Sequence, residues 1–184
     1  TLVLLDLGVE NRSLYPADVT RTLPVDGRFT DLQRELYDTV LRAQQAGIDA
    51  VRPGVPFRAA HNAAMEVLAH ALADLGLLPV SAEEALDPES RVYARWTLHG
   101  TSHMLGMDVH DCGQAAPASY AEGTLAEGMV LTVEPGLYFK ADDLKAPERF
   151  RGNGVRIEDD VLVTADGCEN LSAGMPRTAD DVEA

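Results

Sequence analysis

Asp6, Asp18, His103, Glu134 and Glu158 are four carboxylates and one imidazole, each inside or beside a strand-like apolar run. Gathered at one place, side chains of these types read as a site for two divalent cations. Adjacent carboxylates roughly 4 Å apart would repel by about 4 kcal/mol per pair at an effective dielectric of about 20, so an empty cluster could not stay fully ionised cheaply. A pair of cations removes that penalty, and two-metal sites make hydrolytic nucleophiles from water. Mostly hard oxygen donors with one imidazole suit Mn2+ first, with Co2+, Zn2+ or Fe2+ as alternatives.

Three segments carry most of this chemistry. In HGTSHMLGMDVHD, residues 99–111, His99 and His103 are four apart, as in a helical zinc motif. Gly100, Thr101 and Ser102 stand between them and no glutamate follows His99, so the helical form fails and a strand-to-loop segment presenting His103 fits better. In GMVLTVEPGLYF, residues 128–139, a strand buried on both faces ends in Glu134, a carboxylate that needs a partner there. Pro135 and Gly136 then turn the chain and fix its direction. In GVRIEDD, residues 154–160, period two places Arg156 and Glu158 on one face of a strand, which suggests that the guanidinium holds the carboxylate.

The elements that must position these groups follow from local patterns. Residues 1–8 and 17–24 form two strand-like runs joined by the polar stretch Asn11 to Ser13, a hairpin that brings Asp6 and Asp18 together. Thr30 with Gln33 resembles a capping box, and Leu32, Leu36, Val40 and Ala43 keep helical spacing until Gly47 supplies a stop. A second amphipathic helix spans 57–75 through Ala60, Ala64, Leu68 and Leu72, with Gly76 at the C′ position. His61 and His70 lie on that helix without ligand partners and read as ordinary helix-face residues. Residues 79–91 read as an acidic surface loop, 97–99, 128–134, 136–139 and 154–164 as strands, and 140–153 as a solvated loop. Asp159 and Asp160 read as a solvated or turn-capping pair, and the tail after Ser172 as frayed.

A chain of 184 residues with 46% apolar content supports one α+β core. Its formal charge of −15 disfavours nucleic acid and anionic lipid, which need a positive surface. No apolar run is long enough to span a membrane. Cys112 and Cys168 show no zinc or disulfide pattern and read as free thiols, so a soluble cytoplasmic protein is expected.

The motifs DLGVENRSLYPADVTRTLPV, HGTSHMLGMDVHD, MVLTVEPGLYF and GVRIEDDVLVT, in this order, resemble the catalytic domain of Xaa-Pro aminopeptidases (aminopeptidase P), in the pita-bread metallopeptidase superfamily. The resemblance implies an α+β pita-bread domain over 1–172 that lacks its first part, followed by an acidic tail over 173–184. It implies hydrolysis of the bond between an N-terminal residue and a following proline. In that reading Asp6 binds one cation in bidentate fashion, Asp18 and Glu158 bridge two, and His103 and Glu134 serve the other. His99, His110, Glu134 and Arg156 take catalytic parts, and His99, His110 and Tyr138 face the substrate. Two divalent metal ions, peptides with proline in second position and a homo-oligomer are implied, with no nucleic-acid or membrane partner. Prolidase, which shares the five ligands, is the near alternative; a non-catalytic binding module is the other, and such modules lose ligands. There are two departures: Asp6 and Asp18 are twelve positions apart, one more than in the family pattern, and a further active-site histidine of the family lies upstream of Thr1.

Overall fold

A computed structural model describes residues 1–184, the side chain of Pro117 apart. Strands β1 (Leu2–Leu7) and β2 (Val19–Pro24) form an antiparallel hairpin with Asp6 opposite Thr20. Two helices follow, α1 (Asp31–Asp49) and α2 (Ala59–Asp74), which pack on each other and cover the remaining strands. A short helix α3 (Ala82–Leu86) precedes a long segment whose regular structure is two short 3-10 helices, Val92–Arg95 and Pro117–Ser119. Strands β3 (Val130–Val133), β4 (Gly136–Tyr138), β5 (Gly154–Arg156), β6 (Asp159–Val163) and β7 (Cys168–Asn170) then build two small antiparallel sheets, ordered β3-β6-β7 and β4-β5. Helix α4 (Ala179–Glu183) closes the chain.

The apolar positions expected on α1 and α2 form the core. Leu36, Val40, Ala64, Leu68 and Leu72 are buried against Leu137, Phe139, Phe150 and Ile157, while Ile48, Leu131, Val133 and Val161 make a second cluster. The Thr30 and Gln33 capping box is present, and Gly76 takes φ +70°, a backbone state glycine adopts without Cβ strain. Gly47 is different. The helix continues through it to Asp49, and the glycine is there because a Cβ would meet Val133 Cγ1 at 2.9 Å and the Ala60 carbonyl oxygen at 3.2 Å. It permits close approach of α1 to β3 and α2, and does not stop the helix.

Four further differences have local causes. Residues 97–99 are not a strand; the extended segment 96–105 is bonded only intermittently to the sheets, by Tyr138 N–H to Trp96 O (2.9 Å), Glu134 N–H to Thr101 O (2.8 Å) and Thr132 N–H to His103 O (2.9 Å). The run 154–164 breaks at Ile157 and Glu158, because the Glu158 N–H leaves both sheets and donates to Thr20 O of β2 at 3.1 Å. The acidic stretch 79–91 contains α3, started by Ser81, whose hydroxyl accepts from the Glu84 N–H at 3.2 Å. Within 140–153, Ala146 and Phe150 are buried, so that loop is anchored to the core rather than wholly solvated.

The tail also departs from expectation. Residues 173–184 do not fray: Thr178 and Asp181 form a capping box for α4, Arg34 pairs with Asp180 (2.7 Å) and Glu183 (2.6 Å), and Tyr37 donates to Arg177 O at 2.8 Å. Among the described residues no helix is long and apolar enough to cross a membrane. Cys112 and Cys168 are both free.

Candidate metal centre

The β1-β2 hairpin presents Asp6 from β1 and Asp18 from the residue before β2, on the face that also holds Thr20. Segment 96–105 supplies His103, the end of β3 supplies Glu134, and the crossing between β5 and β6 supplies Glu158. One ligand atom from each of Asp18, His103 and Glu158 lies within 4.8 Å of the others, although the residues come from distant parts of the chain. Glu134 joins them: its Oε1 is 3.4 Å from His103 Nε2, which is itself 3.5 Å from Asp18 Oδ2. Asp6 is at the half-exposed edge, held by the Arg156 guanidinium. Asp18, His103 and Glu158 are thus the closely grouped set, with Glu134 beside His103 and Asp6 at the rim.

Burial sets the electrostatics. It pushes the Glu158 carboxyl up to about 9, with the charge of Glu134 adding to the effect, and pushes Glu134 up to about 7. Asp18 is raised as well, by burial and then by Asp6. Burial lowers His103 and His99, which favours the neutral imidazole, the form in which a ring nitrogen can ligate a metal. A set of hard oxygens and one neutral imidazole, carrying more acid groups than burial lets ionise together, has the donor chemistry that divalent cations fit.

Around the cluster, His99 bonds Tyr138 OH through Nε2 (2.6 Å) and Gly100 O through Nδ1 (2.7 Å), and lies 3.5 Å from Glu134 Oε2. His110, exposed, sets its ring edge-on to His103 with centroids 4.4 Å apart. Arg156 does not hold Glu158 directly. Its Nε donates to Thr20 Oγ1 at 3.0 Å, and that hydroxyl donates to Glu158 Oε2 at 2.5 Å, while the rest of the guanidinium serves Asp6 and, at 3.4 Å, Tyr138 OH. Thr20 is thus the link that the shared face of Arg156 and Glu158 did not reveal.

Asp159 and Asp160 are buried, where a solvated or turn-capping pair is expected. Asp159 accepts from Arg21 (2.7 Å), Gln44 (2.8 Å) and Asn170 (2.9 Å). Asp160 Oδ2 accepts the Asp18 N–H at 3.1 Å. Arg21 also donates to the backbone oxygens of Glu158 (2.6 Å), Thr20 (2.9 Å) and Pro176 (2.6 Å), which ties the hairpin, the Glu158 crossing and the tail from behind. His70 is exposed, as a helix-face residue should be, whereas His61 reaches out of α2 to set Nδ1 2.9 Å from Thr101 Oγ1. That contact joins sequence-distant segments, and helical periodicity carries no signal for it.

The sequence of residues 1–165 matches the model of metallopeptidase family M24, and the chain belongs to that family. Its fold is the mixed α/β, pita-bread fold of that family, seen in neighbours that cover 99% of the chain. The chain is 60% identical over 182 residues to Xaa-Pro aminopeptidase 1 of Streptomyces coelicolor, covering 99% of this chain and 37% of that protein. It is 40% identical to the Xaa-Pro aminopeptidase of Escherichia coli, covering 100% of this chain and 40% of that protein. Among solved structures, Pseudomonas aeruginosa aminopeptidase PepP superposes with a TM-score of 0.92 at 41% identity, covering 99% of this chain and 40% of that one. Zinc-substituted Escherichia coli aminopeptidase P in complex with product gives 0.91 at 39% identity, covering 99% of this chain and 40% of that one. The chain thus spans well under half the length of these relatives.

Proposed function

We propose that the protein containing this chain is a two-metal aminopeptidase that cleaves the bond between an N-terminal residue and a following proline. The observation that carries the reading is the convergence of Asp18, His103 and Glu158 on one point, with Glu134 beside His103 and Asp6 at the rim. Relatives named Xaa-Pro aminopeptidase supply the substrate class. Asp6, Asp18, His103, Glu134 and Glu158 would hold the ions, with Mn2+ favoured by the mainly oxygen donor set. Bound there, two divalent cations supply a water acidified toward neutrality and a polarised carbonyl.

The chain's own residues do the rest. Glu134, between the rings of His103 and His99, takes the proton of the attacking water and returns it to the departing proline nitrogen. His110 is exposed and free to donate to the developing oxyanion, whereas both nitrogens of His99 are engaged, so His99 and Tyr138 together form a wall that orients the peptide. Asp6, half exposed, meets the free amine of the substrate. Arg156 and Thr20 hold Asp6 and Glu158 in a fixed relation.

The test uses the complete protein, stripped with chelator and assayed on Xaa-Pro peptides with and without added Mn2+. Cleavage that survives full demetallation, or that is unchanged in Asp18→Ala, refutes the reading. Comparing Xaa-Pro dipeptides with longer peptides separates aminopeptidase from prolidase, since a prolidase rejects the longer ones.

A further inference from the structure

His99, which lies 3.5 Å from Glu134, also borders a cavity of about 370 Å³ whose lining includes Arg58, His61, Arg91, Thr101 and Ser102. The protein carries 30 acidic residues against 15 basic ones, yet among the described residues no acidic side chain lines this cavity. The side chains of Arg58 and Arg91 make no ion pair among the described residues, whereas Arg95, at a neighbouring surface hollow, is neutralised by Asp143 at 2.5 Å. Arg58 is also the N-cap of α2 and provides no side-chain cap, and the first turn of that helix holds no acidic residue, so the positive end of the helix dipole opens on the same place. The Ser102 hydroxyl is buried without a partner. Charge from both arginines reaches the cavity wall: after burial, Arg58 and Arg91 are the next causes that lower His61.

We infer that this cavity binds a carboxylate, the free C-terminus of a short peptide whose amine end lies at the metal centre, and that Arg58 and Arg91 set a preference for such peptides. The inference rests on the aminopeptidase reading. His99 borders both a cluster rich in carboxylates and a cavity rich in cations, and a short peptide is a zwitterion with the matching order of charge. An extended tripeptide separates its ends by about 10 Å, a span longer than the His99 ring that both places share. Guanidinium is the group that grips a carboxylate through paired hydrogen bonds, and the uncapped helix end adds backbone N–H donors.

The experiment compares, in the complete protein, three peptides: Ala-Pro-Leu with a free C-terminus, Ala-Pro-Leu amide, and Ala-Pro-Glu amide, whose carboxylate is on a side chain. The free acid should show a KM about tenfold below that of its amide at equal kcat, the worth of one charged hydrogen bond. Arg58→Gln and Arg91→Gln, both at exposed positions, should remove the difference in KM between acid and amide. Ala-Pro-Glu amide matching the free acid would assign the site to an acidic side chain and overturn the C-terminal assignment. Equal KM for acid and amide, or a preference that survives in the double variant, overturns the proposal. Calorimetric binding of the dipeptides Pro-Leu and Pro-Leu amide reads the cavity without turnover. An arginine-dependent preference for Pro-Leu sustains the carboxylate site even if no peptide is cleaved, and absence of cleavage refutes the aminopeptidase reading alone.

Discussion

Replacing Thr20 by valine removes one oxygen at the point where two parts of the site meet. The hydroxyl donates to Glu158 Oε2 at 2.5 Å and accepts from Arg156 Nε at 3.0 Å, and Thr20 is wholly buried, so no water can take its place. Valine keeps the shape and the β-strand preference but leaves a buried carboxylate and a guanidinium N–H without that partner. Hydrogen bonds to charged groups contribute about 1.5 to 3 kcal/mol each, and orienting groups around metal ligands are worth roughly tenfold to hundredfold in affinity. Thr20→Val should therefore weaken Mn2+ binding by at least about tenfold in a calorimetric titration of chelator-treated protein, while Thr20→Ser, which keeps the hydroxyl, stays within about threefold. If Thr20→Val binds two equivalents as tightly as the parent, Glu158 does not depend on this hydroxyl and the reasoning fails.

Three other outcomes follow from the structure. Asp159→Asn leaves the buried Arg21 guanidinium without its anion and should lower unfolding stability by about 3 to 5 kcal/mol in a urea titration; a loss below about 1 kcal/mol would mean that the backbone oxygens of Thr20, Glu158 and Pro176 suffice for Arg21. Gly47→Ala forces a methyl against Val133 and the Ala60 carbonyl, a clash of about 1 to 3 kcal/mol that outweighs the gain of about 1 kcal/mol in helix propensity, so the thermal midpoint should fall; a rise would show that β3 yields. In metal-free protein Glu134 and Glu158 hold their protons above the ordinary carboxylate range, to about 7 and about 9. Because the folded state binds these protons more tightly than the unfolded one, the stabilisation is complete below about pH 4.5 and is lost as pH rises through both values. Thermal midpoints in chelator should therefore decline from about pH 5 to about pH 9, and saturating Mn2+ should flatten the decline; a metal-free midpoint that climbs over this range contradicts the assignment.

The helices were readable because α1 and α2 repeat apolar residues at helical spacing over several turns, and because Thr30 and Gly76 have the side-chain chemistry their positions need. The acidic cluster was readable for another reason: carboxylates at the ends of apolar strands are costly unless something compensates them, and that cost shows in the residue order itself. What stayed hidden depends on pairings between distant segments. The Glu158 N–H bonds Thr20 rather than a sheet neighbour, Asp159 turns inward because Arg21, Gln44 and Asn170 await it, and the tail is fastened by Arg34 and Tyr37. No local periodicity encodes such partners. Gly47 shows the same limit from the other side, since a glycine that ends a helix and a glycine that admits a neighbouring strand look alike in one dimension.

Ile157 and Glu158 occupy the two-residue passage where the chain leaves the partner of β4 and enters the partner of β3. An extra residue inserted there could not be absorbed by slippage, because β5 and β6 are each locked in register to a different strand and would reverse their faces on moving by one. The length of this passage is therefore under stricter constraint than the identity of its apolar member. Variation among natural or laboratory descendants of this chain should accumulate as exchanged side chains at 157 and as length changes in 140–145, but almost never as a gained or lost residue between Arg156 and Asp159.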